Sequence, residues 1–385
     1  MNTDNKNVLL LVDDEPANIQ VANSILKELY RVRVATNGNE ALELARGASP
    51  PDLILLDIVM PEMSGYEVCA CLKVDPDTRD IPIIFLTSKT EVDDETEGFL
   101  MGAVDYIHKP FSPPILKARV QTHLTLHKIQ KRLAQQLEAV KAELEAARKI
   151  QLSILPSEVP AIAGLDIAAR YVPMTEVAGD FYDFINIDEN HLGIFVADVS
   201  GHGMSAALIA SMLKIALAAQ STQALEPARV LTGLNQALCG KFHDRFVTAA
   251  YMVVDVKNKS ICYAGAGHPP LLLGDKSAVT AHEVTENGLF LGAFPSATYS
   301  SVEMPFKEGD WAVLYTDGVL EMTNPTAEQF GAERFRKFLE THRELDADPF
   351  VDGLLEELSR WSFRASGREP EDDVTVLAIH FRDLD

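Results

Sequence analysis

The first 120 residues contain five short apolar runs, separated by longer stretches in which apolar residues have helical spacing. The runs are Val8–Val12, Val32–Ala35, Leu53–Leu56, Ile83–Leu86 and Val104–Ile107. Strands that alternate with helices are typical of a parallel sheet with helices on both faces. We therefore predict a doubly wound α/β domain with a five-stranded parallel sheet. In such domains, ligands bind at the carboxyl ends of the strands.

The next region, residues 121–155, contains neither glycine nor proline and predicts one long helix. Its apolar residues are spaced alternately three and four apart, over about three heptads. They are Leu126, Leu133, Leu137, Val140, Leu144 and Ala147, with Gln130 and Gln151 in the same seam. This pattern predicts a coiled coil that joins two copies of the chain as a homodimer. The alternative is a single linker helix whose apolar stripe packs on its own domains.

After Pro156 the pattern changes to groups of strands with a few long helices. The predicted strands are Leu165–Val172, Leu192–Val196, Phe246–Val256, Ser260–Tyr263, Trp311–Tyr315 and Val374–Phe381. The predicted helices are Ser205–Ala219, Ala228–Leu238, Ala332–Glu340 and Phe350–Trp361. This arrangement predicts an α+β domain, a layered β-sandwich flanked by helices. The expected domains are 1–120, the helical linker 121–155, and 156–385.

The charge of the chain argues against several partners. The formal net charge is −23, divided into −9 over residues 1–120, +3 over 121–155 and −17 over 156–385. Phosphate contacts need clustered basic side chains, so we expect no nucleic-acid partner. No apolar run reaches the ~18–20 residues that span a bilayer, and the start does not resemble a signal peptide. The four cysteines form no CxxC pair, so we expect a cytoplasmic protein with reduced thiols.

Three acids follow strands of the first predicted sheet. Asp13 and Asp14 come directly after the first run, and Asp57 directly after the third. Carboxylates that meet at one edge repel one another unless a divalent cation compensates them, and hard oxygen ligands suit Mg²⁺. Thr87 directly follows the fourth run, and Lys109 lies two residues after the fifth. A hydroxyl and an ammonium beside Mg²⁺ are what a phosphoryl group on Asp57 would need.

Each of these residues alone is ordinarily a helix cap or a solvated charge. Suitable residues at four of the five strand ends are the signal. We also expect a cis bond between Lys109 and Pro110, because such a bond would direct the lysine toward the site.

The segments LLVDDE, LLDIVMPEMSG, FLTS and DYIHKP resemble the receiver domain of two-component response regulators, over about residues 6–120. The resemblance implies a sensor histidine kinase as the phosphoryl donor and Mg²⁺ as the cofactor. The residues that it assigns are the phosphoacceptor Asp57; the magnesium ligands Asp13 or Asp14, Asp57 and the Val59 carbonyl; the phosphoryl-binding Thr87 and Lys109; and the aromatic switch Tyr106.

The C-terminal region places acids in four short turn-like segments, VAGDFYD, VADVSGHG, YTDGVLE and EDDVT. None of the four contains Lys or Arg, and burial of an unpaired carboxylate costs several kcal/mol. Metal binding is the simplest compensation, and carboxylates without His or Cys ligands suit Mg²⁺ or Mn²⁺. Two such ions would activate water for phosphoryl hydrolysis. Each segment alone is an ordinary hairpin or solvated loop; together they favour a metal site.

The sequence from about Ala147 onward resembles the protein phosphatase 2C superfamily, in its SpoIIE/RsbU-type branch. The matching segments are ARKIQLSILP, GDFYD, ADVSGHGMSAAL, AGAGHPP, YTDGVLE and DDVT. One departure is Ala178, where many relatives have glycine. The residues that the resemblance implies are the ligands of a centre of two Mn²⁺ or Mg²⁺ ions, Asp180, Asp198, Asp317, Asp372 and the Val199 carbonyl, with Asp183, Asp373 and His202 as candidate neighbours of those ligands.

The two resemblances together imply a response regulator in which phosphorylation of Asp57 controls a phosphoserine/phosphothreonine protein phosphatase. By resemblance, the substrate is a phosphorylated STAS-domain anti-sigma-factor antagonist. One alternative is a catalytically inactive phosphatase-like adaptor that binds partners under receiver control. Another is a DNA-binding regulator, which the −17 charge of residues 156–385 and the lack of a helix-turn-helix pattern oppose.

Overall fold

The computed structural model describes residues 6–88, 101–174, 177–242, 244–275, 281–362 and 372–383. The chain divides into two compact units, Met1–Ala139 and Val140–Asp385. The division falls inside one continuous 42-residue helix, Pro113–Ile154. None of the helices in these described ranges combines the length and hydropathy that crossing a bilayer requires.

The first unit contains a five-stranded parallel sheet in the order β2-β1-β3-β4-β5. Its elements are β1 (Val8–Val12), α1 (Pro16–Leu26), β2 (Arg31–Ala35), α2 (Gly38–Arg46), β3 (Leu53–Asp57), α3 (Gly65–Val74), β4 (Ile83–Thr87), β5 (Asp105–His108) and α4 (Pro113–Ile154). The predicted fold class is confirmed, and the strand bounds differ from the prediction by at most one residue. Because β1 and β3 are neighbours, residues that follow them meet at the same edge of the sheet.

Local sequence explains how the helices of this unit begin. Ser64 and Glu67 form a capping box at the start of α3, with the Ser64 backbone N–H bonded to the Glu67 carboxylate at 2.8 Å. Gly65 follows, and a Cβ there would collide with the carbonyl oxygen of Asp57. The start of α3 is therefore packed directly against the end of β3, which fixes the backbone at Asp57.

The second unit is a sandwich of two mainly antiparallel sheets. One has the order β13-β10-β9-β8-β7, with β14 also paired to β10, and the other has the order β12-β11-β15-β16-β6. The strands are β6 (Leu165–Val172), β7 (Phe181–Asn186), β8 (His191–Val199), β9 (Val247–Asp255), β10 (Ser260–Ala266), β11 (Leu271–Gly274), β12 (His282–Val284), β13 (Asn287–Gly288), β14 (Val302–Pro305), β15 (Trp311–Tyr315) and β16 (Val374–Phe381).

Helices cover both outer faces of the sandwich. They are α5 (Met204–Ala218), α6 (Pro227–Leu238), α7 (Gly318–Glu321), α8 (Gly331–His342) and α9 (Ala347–Trp361), with a short 3₁₀ turn at Ser221–Gln223. One apolar core lies between the sheets, a second packs α5 and α6 on the β8 sheet, and a third packs α8 and α9 on the β16 sheet. The predicted layered sandwich with flanking helices is therefore confirmed.

The sequence prediction omitted five strands and one short helix. The omitted strands are β7, β11, β12, β13 and β14, and the helix is α7. Strands β7 and β12 lie at sheet edges, and β14 alternates between exposed and half-buried residues. Such strands lack the continuous apolar run that identifies a buried strand.

Candidate functional site

Three acids meet at the carboxyl edge of the first sheet. Asp13 and Asp14 follow β1, and Asp57 ends β3, which is paired directly with β1. One carboxylate oxygen from each lies within 4.8 Å of the others, and Asp13 is fully buried. Oxygens at this spacing fit one divalent cation.

Lys109 provides positive charge at the same edge. Its Nζ lies 2.7 Å from an oxygen of Asp13 and 2.7 Å from an oxygen of Asp57. Burial raises the pKa of Asp57, and the Lys109 ammonium opposes that shift. Burial lowers the pKa of Lys109, but the two carboxylates outweigh it and the net shift is upward. The Lys109–Pro110 bond is cis, as expected.

The other residues that the sequence singled out in this unit lie on the neighbouring strands and loop. Thr87 ends β4 and is buried, one position beyond Leu86, the register partner of Asp57. Tyr106 is buried on β5, with its ring centroid 5.8 Å from that of Phe85. Val59 is exposed, and its backbone N–H donates to the Asp57 carboxylate.

Asp180 is the most enclosed acid of the second unit. It directly precedes β7 and its surface is 2% exposed. Its Oδ2 accepts hydrogen bonds from Thr316 Oγ1 at 2.8 Å and from Thr375 Oγ1 at 2.6 Å. The two threonines are themselves joined, because the Thr375 backbone N–H donates to Thr316 Oγ1 at 2.9 Å. Sequence reasoning missed both, although each stands within two residues of an acid in YTDGVLE or DDVT.

The acids of this unit repel one another. Burial raises the pKa of Asp198 to about 8, with further contributions from Asp317, Asp372 and others. Burial raises the pKa of Asp317 to about 6, with Asp372 and Glu321 adding to it. The pKa of Asp180 is also raised well above its ordinary value, by burial and then by Asp198 and Asp373. Glu321 therefore belongs to the same group of mutually repelling acids, although the sequence prediction did not single it out.

The geometry of this cluster is wider than that of the receiver acids. Among the described residues, Asp13, Asp14 and Asp57 alone form a group of three with ligand atoms within 4.8 Å. A centre of two ions ~3.5–4 Å apart needs ligands spread over two coordination spheres. Buried carboxylates whose main electrostatic neighbours are other carboxylates, together with hydroxyl donors, suit Mg²⁺ or Mn²⁺.

Asp373 holds the segment that leads to Asp180. One of its carboxylate oxygens accepts from the Met174 backbone N–H at 2.7 Å, and the other from the Gly179 N–H at 2.6 Å. Asp372 is less buried, and its Oδ1 accepts from the Asp373 N–H at 2.8 Å. Asp373 is therefore occupied by backbone donors, whereas Asp372 lies at the more accessible side of the pair.

The Val199 carbonyl faces the same segment from the end of β8. A Cβ on Gly179 would lie 2.8 Å from the Val199 oxygen and 3.2 Å from the Gly201 oxygen. Only glycine fits so close an approach, because any side chain would displace one of the two backbones. Gly179 thus brings the Asp180 backbone against the end of the strand that carries Asp198.

Gln151, near the end of α4, is connected to this segment by two hydrogen bonds. Its Nε2 donates to the Ala178 carbonyl at 2.6 Å, and its Oε1 accepts from the Ala178 N–H at 3.0 Å. The side chain is buried. The sequence prediction placed Gln151 in the coiled-coil seam, whereas its side chain pairs with the backbone of its own chain two residues before Asp180.

Two candidate neighbours of the ligands have other surroundings. Asp183 lies on β7, and its carboxylate pairs with Lys214 of α5 at 2.7 Å. His202 is exposed in the turn before α5. A second histidine, His268, is buried with Nδ1 2.9 Å from Thr248 Oγ1, and burial lowers its pKa to about 3. Burial therefore favours the neutral imidazole of His268 at physiological pH.

Two family models match the chain. The model described as Stage II sporulation protein E (SpoIIE) matches residues 188–382, and the response regulator receiver domain model matches residues 9–121. The chain therefore belongs to the SpoIIE family of phosphatase 2C-type proteins and carries a receiver domain. Both resemblances inferred from the sequence are confirmed.

Individual relatives cover different parts of the chain. Phosphoserine phosphatase RsbU of Bacillus subtilis is 30% identical over 262 residues, which are 67% of this chain and 74% of RsbU. A probable cyclic di-GMP phosphodiesterase of Vibrio cholerae is 53% identical over 116 residues, which are 30% of this chain and only 26% of that protein. The SiaA-PP2C domain of Pseudomonas aeruginosa superposes with a TM-score of 0.57 at 24% identity, covering 64% of this chain and 98% of that one. This last likeness concerns the fold.

Proposed function

We propose that this chain is a cytoplasmic response regulator in which phosphorylation of Asp57 controls a metal-dependent phosphoserine/phosphothreonine protein phosphatase. The observation that carries the proposal is the buried cluster around Asp180 and Asp198, in which acids raise one another's pKa. Such a cluster is unfavourable unless cations bind it. The proposed domains are the receiver at 1–120, the linker at 121–155 and the phosphatase at 156–385.

The proposed ligands of two Mn²⁺ or Mg²⁺ ions are Asp180, Asp198, Asp317, Asp372 and the Val199 carbonyl. When bound, two such ions acidify water and withdraw charge from phosphoryl oxygens. Thr316 and Thr375 orient Asp180 through its Oδ2, and Asp373 fixes the backbone before it.

The proposed reaction is hydrolysis of a phosphomonoester. A water oxygen bonds to phosphorus, the bond from phosphorus to the seryl oxygen breaks, and a proton from the water passes to that oxygen. The products are a serine hydroxyl and inorganic phosphate. No covalent intermediate with the protein is required.

In the receiver, a sensor histidine kinase is the proposed donor and the Asp57 carboxylate the acceptor. The phosphoryl group moves from a histidine nitrogen of the kinase to an oxygen of Asp57. Asp13 or Asp14, Asp57 and the Val59 carbonyl are the proposed Mg²⁺ ligands. Thr87 and Lys109 bind the phosphoryl oxygens, and Tyr106 responds as the aromatic switch. The position of Lys109 between two carboxylates supports this assignment, since phosphorylation would replace one ion pair by another.

The proposed substrate is a serine-phosphorylated STAS-domain anti-sigma-factor antagonist. Support comes from similarity to RsbU, which is named a phosphoserine phosphatase. Dephosphorylation would free the antagonist to bind an anti-sigma protein.

The proposed assembly is a homodimer through the linker helix. Leu126, Leu133, Leu137 and Val140 are exposed in the single chain, with Leu133 64% and Leu137 54% exposed. A second copy would cover these side chains in a coiled coil. Sedimentation of a Leu133→Asp, Leu137→Asp variant should give half the wild-type mass. A wild-type monomer, or a variant with unchanged dimer mass, would contradict the assembly.

The enzyme is tested with a serine-phosphorylated STAS protein and Mn²⁺, by measuring phosphate release. We expect an Asp180→Asn, Asp198→Asn double variant to lose at least about a thousandfold in rate, because two ligands of the centre are removed. The matched control is Asp183→Asn, an acid of the same segment that pairs with Lys214 and should retain metal binding.

Full activity in the double variant would refute the proposed phosphatase site. If wild type binds Mn²⁺ in calorimetry but releases no phosphate, the inactive adaptor is the better description.

A further inference from the structure

Arg245 is a half-buried cation beside the turn that follows β8. Its Nη1 donates to the Ser200 carbonyl at 2.6 Å. A Cβ on Gly201 would lie 2.5 Å from that nitrogen and 3.2 Å from the guanidinium carbon. The guanidinium therefore occupies the space that a side chain at position 201 would take. Within the described residues, the ion pairs of this unit involve other basic side chains and leave Arg245 without a carboxylate partner.

The same turn also contacts the backbone that leads to Asp180. Gly201 directs its carbonyl toward Gly179, with 3.2 Å between the oxygen and a Cβ on that glycine. Gly179 precedes Asp180, and Asp198 lies three residues before Gly201. The turn that the guanidinium contacts is therefore continuous in the chain with Asp198 and packed against the residue before Asp180.

The backbone of Arg245 is held in place by its neighbour. The Ser200 N–H donates to the Phe246 carbonyl at 3.0 Å, and the Phe246 N–H donates to Ser200 Oγ at 2.9 Å. The Phe246 ring lies against that of Phe290, with 4.2 Å between centroids. Such support keeps the guanidinium in one place before a ligand arrives.

The acidic excess of this unit makes a basic residue near the site important for binding an anionic substrate. Residues 156–385 carry 17 basic and 34 acidic side chains, so an anionic phosphoprotein meets a repulsive field. A guanidinium offers planar donors that match phosphate oxygens, and it is more weakly hydrated than an ammonium. We propose that Arg245 binds the phosphoryl group of the phosphoserine substrate. This inference rests on the proposed phosphatase and names the residue that recognises its substrate's dianion.

The test compares full-length wild type with Arg245→Met and Arg245→Lys, all loaded with Mn²⁺. One measurement is hydrolysis of a phosphoserine protein, and the other is the binding of inorganic phosphate by calorimetry. In Arg245→Met we expect kcat/KM to fall about 10- to 100-fold and phosphate affinity to weaken by a similar factor. The lysine variant should recover part of both, because it keeps the charge without the planar donor pair. Mn²⁺ affinity should stay within about threefold of wild type.

Arg229→Met is the matched control, since Arg229 is exposed on α6 and pairs with Glu226. It should match wild type in every measurement. Unchanged phosphate affinity in Arg245→Met would overturn the proposal, and so would a parallel loss of Mn²⁺ affinity, which would indicate a structural role. If Arg245→Met does not fold, the lysine variant decides, because wild-type phosphate affinity there overturns the proposal. If wild type hydrolyses no phosphoprotein, the proposed function fails, and phosphate binding still decides the role of Arg245.

Discussion

Lys109 lies 2.7 Å from carboxylate oxygens of both Asp13 and Asp57, so the receiver carries its own counterion. The acids of the second unit have different neighbours. Asp180 receives two hydroxyl donors, and the pKa of Asp198 is raised to about 8 by burial and by other acids. These two environments imply different dependence on divalent cations. Lys109 partly compensates the receiver acids in the absence of a cation, whereas the second cluster is stable only as far as protonation or bound cations reduce its charge.

Mn²⁺ should therefore stabilise the second unit against unfolding. Both tryptophans of the chain, Trp311 and Trp361, lie in this unit, so their fluorescence follows its unfolding alone. Mn²⁺ at about 100 times its Kd should add about 2.7 kcal/mol to the free energy of unfolding. An Asp198→Asn variant should be more stable than wild type without metal, because an amide carries neither the cost of burying a carboxylate nor that of protonating it, and should gain little from Mn²⁺. Equal stabilisation of wild type and variant would contradict the assignment.

His268 should make the stability of the second unit depend on pH. Burial lowers its pKa to about 3, whereas an unfolded histidine ionises near pH 6.5. Below pH 6.5 the unfolded state takes up a proton that the folded state does not. The free energy of unfolding is therefore highest above pH 6.5 and decreases as the pH falls. Between pH 7 and pH 5 the loss is about 2 kcal/mol.

A His268→Gln variant tests this dependence. Urea unfolding followed by tryptophan fluorescence should show the variant less stable than wild type at pH 7. The difference in free energy should shrink by about 2 kcal/mol at pH 5. A difference that is the same at both pH values would show that His268 is not the group responsible.

The residues that the sequence predicted best are those whose neighbours along the chain identify them. Asp57 ends β3 directly after four apolar residues, and Asp198 is the next-to-last residue of β8, so their positions near strand ends could be read directly. Thr316, Thr375 and Glu321 could not be found in this way. Their contribution depends on the pairing of β15 with β16, which brings together positions 59 residues apart in the chain.

At the scale of elements, amphipathic helices and most of the longer strands could be predicted, and the short strands β11, β12, β13 and β14 could not. Strands β6, β15 and β16 have the predicted bounds, because their apolar residues are continuous or alternate regularly. Strand β7 carries Asp183 in its middle, which contributes to a pair with α5 that no local pattern reveals.

Helix α4 continues across residue 120, where the sequence analysis placed the boundary between the receiver domain and the linker. Its first turns pack Leu116, Val120 and Leu124 into the core of the first unit. The helix then continues without interruption to Ile154, beyond Gln151. The expected linker is thus the continuation of the last helix of the receiver fold. Pro113, at the start of the helix, is a local signal for its beginning that the sequence prediction did not use.

Gln151 should connect this helix to the Asp180 segment. A Gln151→Leu variant keeps the helix and the approximate volume but leaves the buried N–H and carbonyl of Ala178 without this partner. Because each such group costs about 1–3 kcal/mol, the second unit should lose about 2 kcal/mol or more in urea unfolding, and Mn²⁺ affinity should fall. Gln130→Leu is the matched control, since Gln130 is exposed on the same helix. Wild-type stability and Mn²⁺ affinity in Gln151→Leu would refute the connection.

At the scale of the whole molecule, the net charge of −23 reflects the two acidic clusters as well as the solvated surface. Part of the acidic excess forms two clusters, one around Asp57 and one around Asp198. Bound cations would reduce the effective charge. The +3 segment, residues 121–155, coincides with most of α4 between two acidic blocks.

The proposed control requires a coupling free energy between the Asp57 cluster and the Asp198 cluster. Coupling between two sites is typically worth about 1–3 kcal/mol, or about 5- to 150-fold in an affinity. We hypothesise that phosphorylation of Asp57 alters the pairing of two linker helices, and that α4 transmits the change through Gln151. A displacement of ~1 Å at a metal ligand is enough to alter the rate greatly.

The most direct test is the initial rate of phosphate release from a serine-phosphorylated STAS protein, with Mn²⁺ present, before and after treatment with a small phosphodonor. Wild type should change its rate by at least about fivefold after treatment. The Asp57→Asn variant should hydrolyse the substrate at the untreated wild-type rate and should not respond to the donor. A variant that responds like wild type, or a wild type whose rate does not change although Asp57 is phosphorylated, would contradict receiver control of the phosphatase.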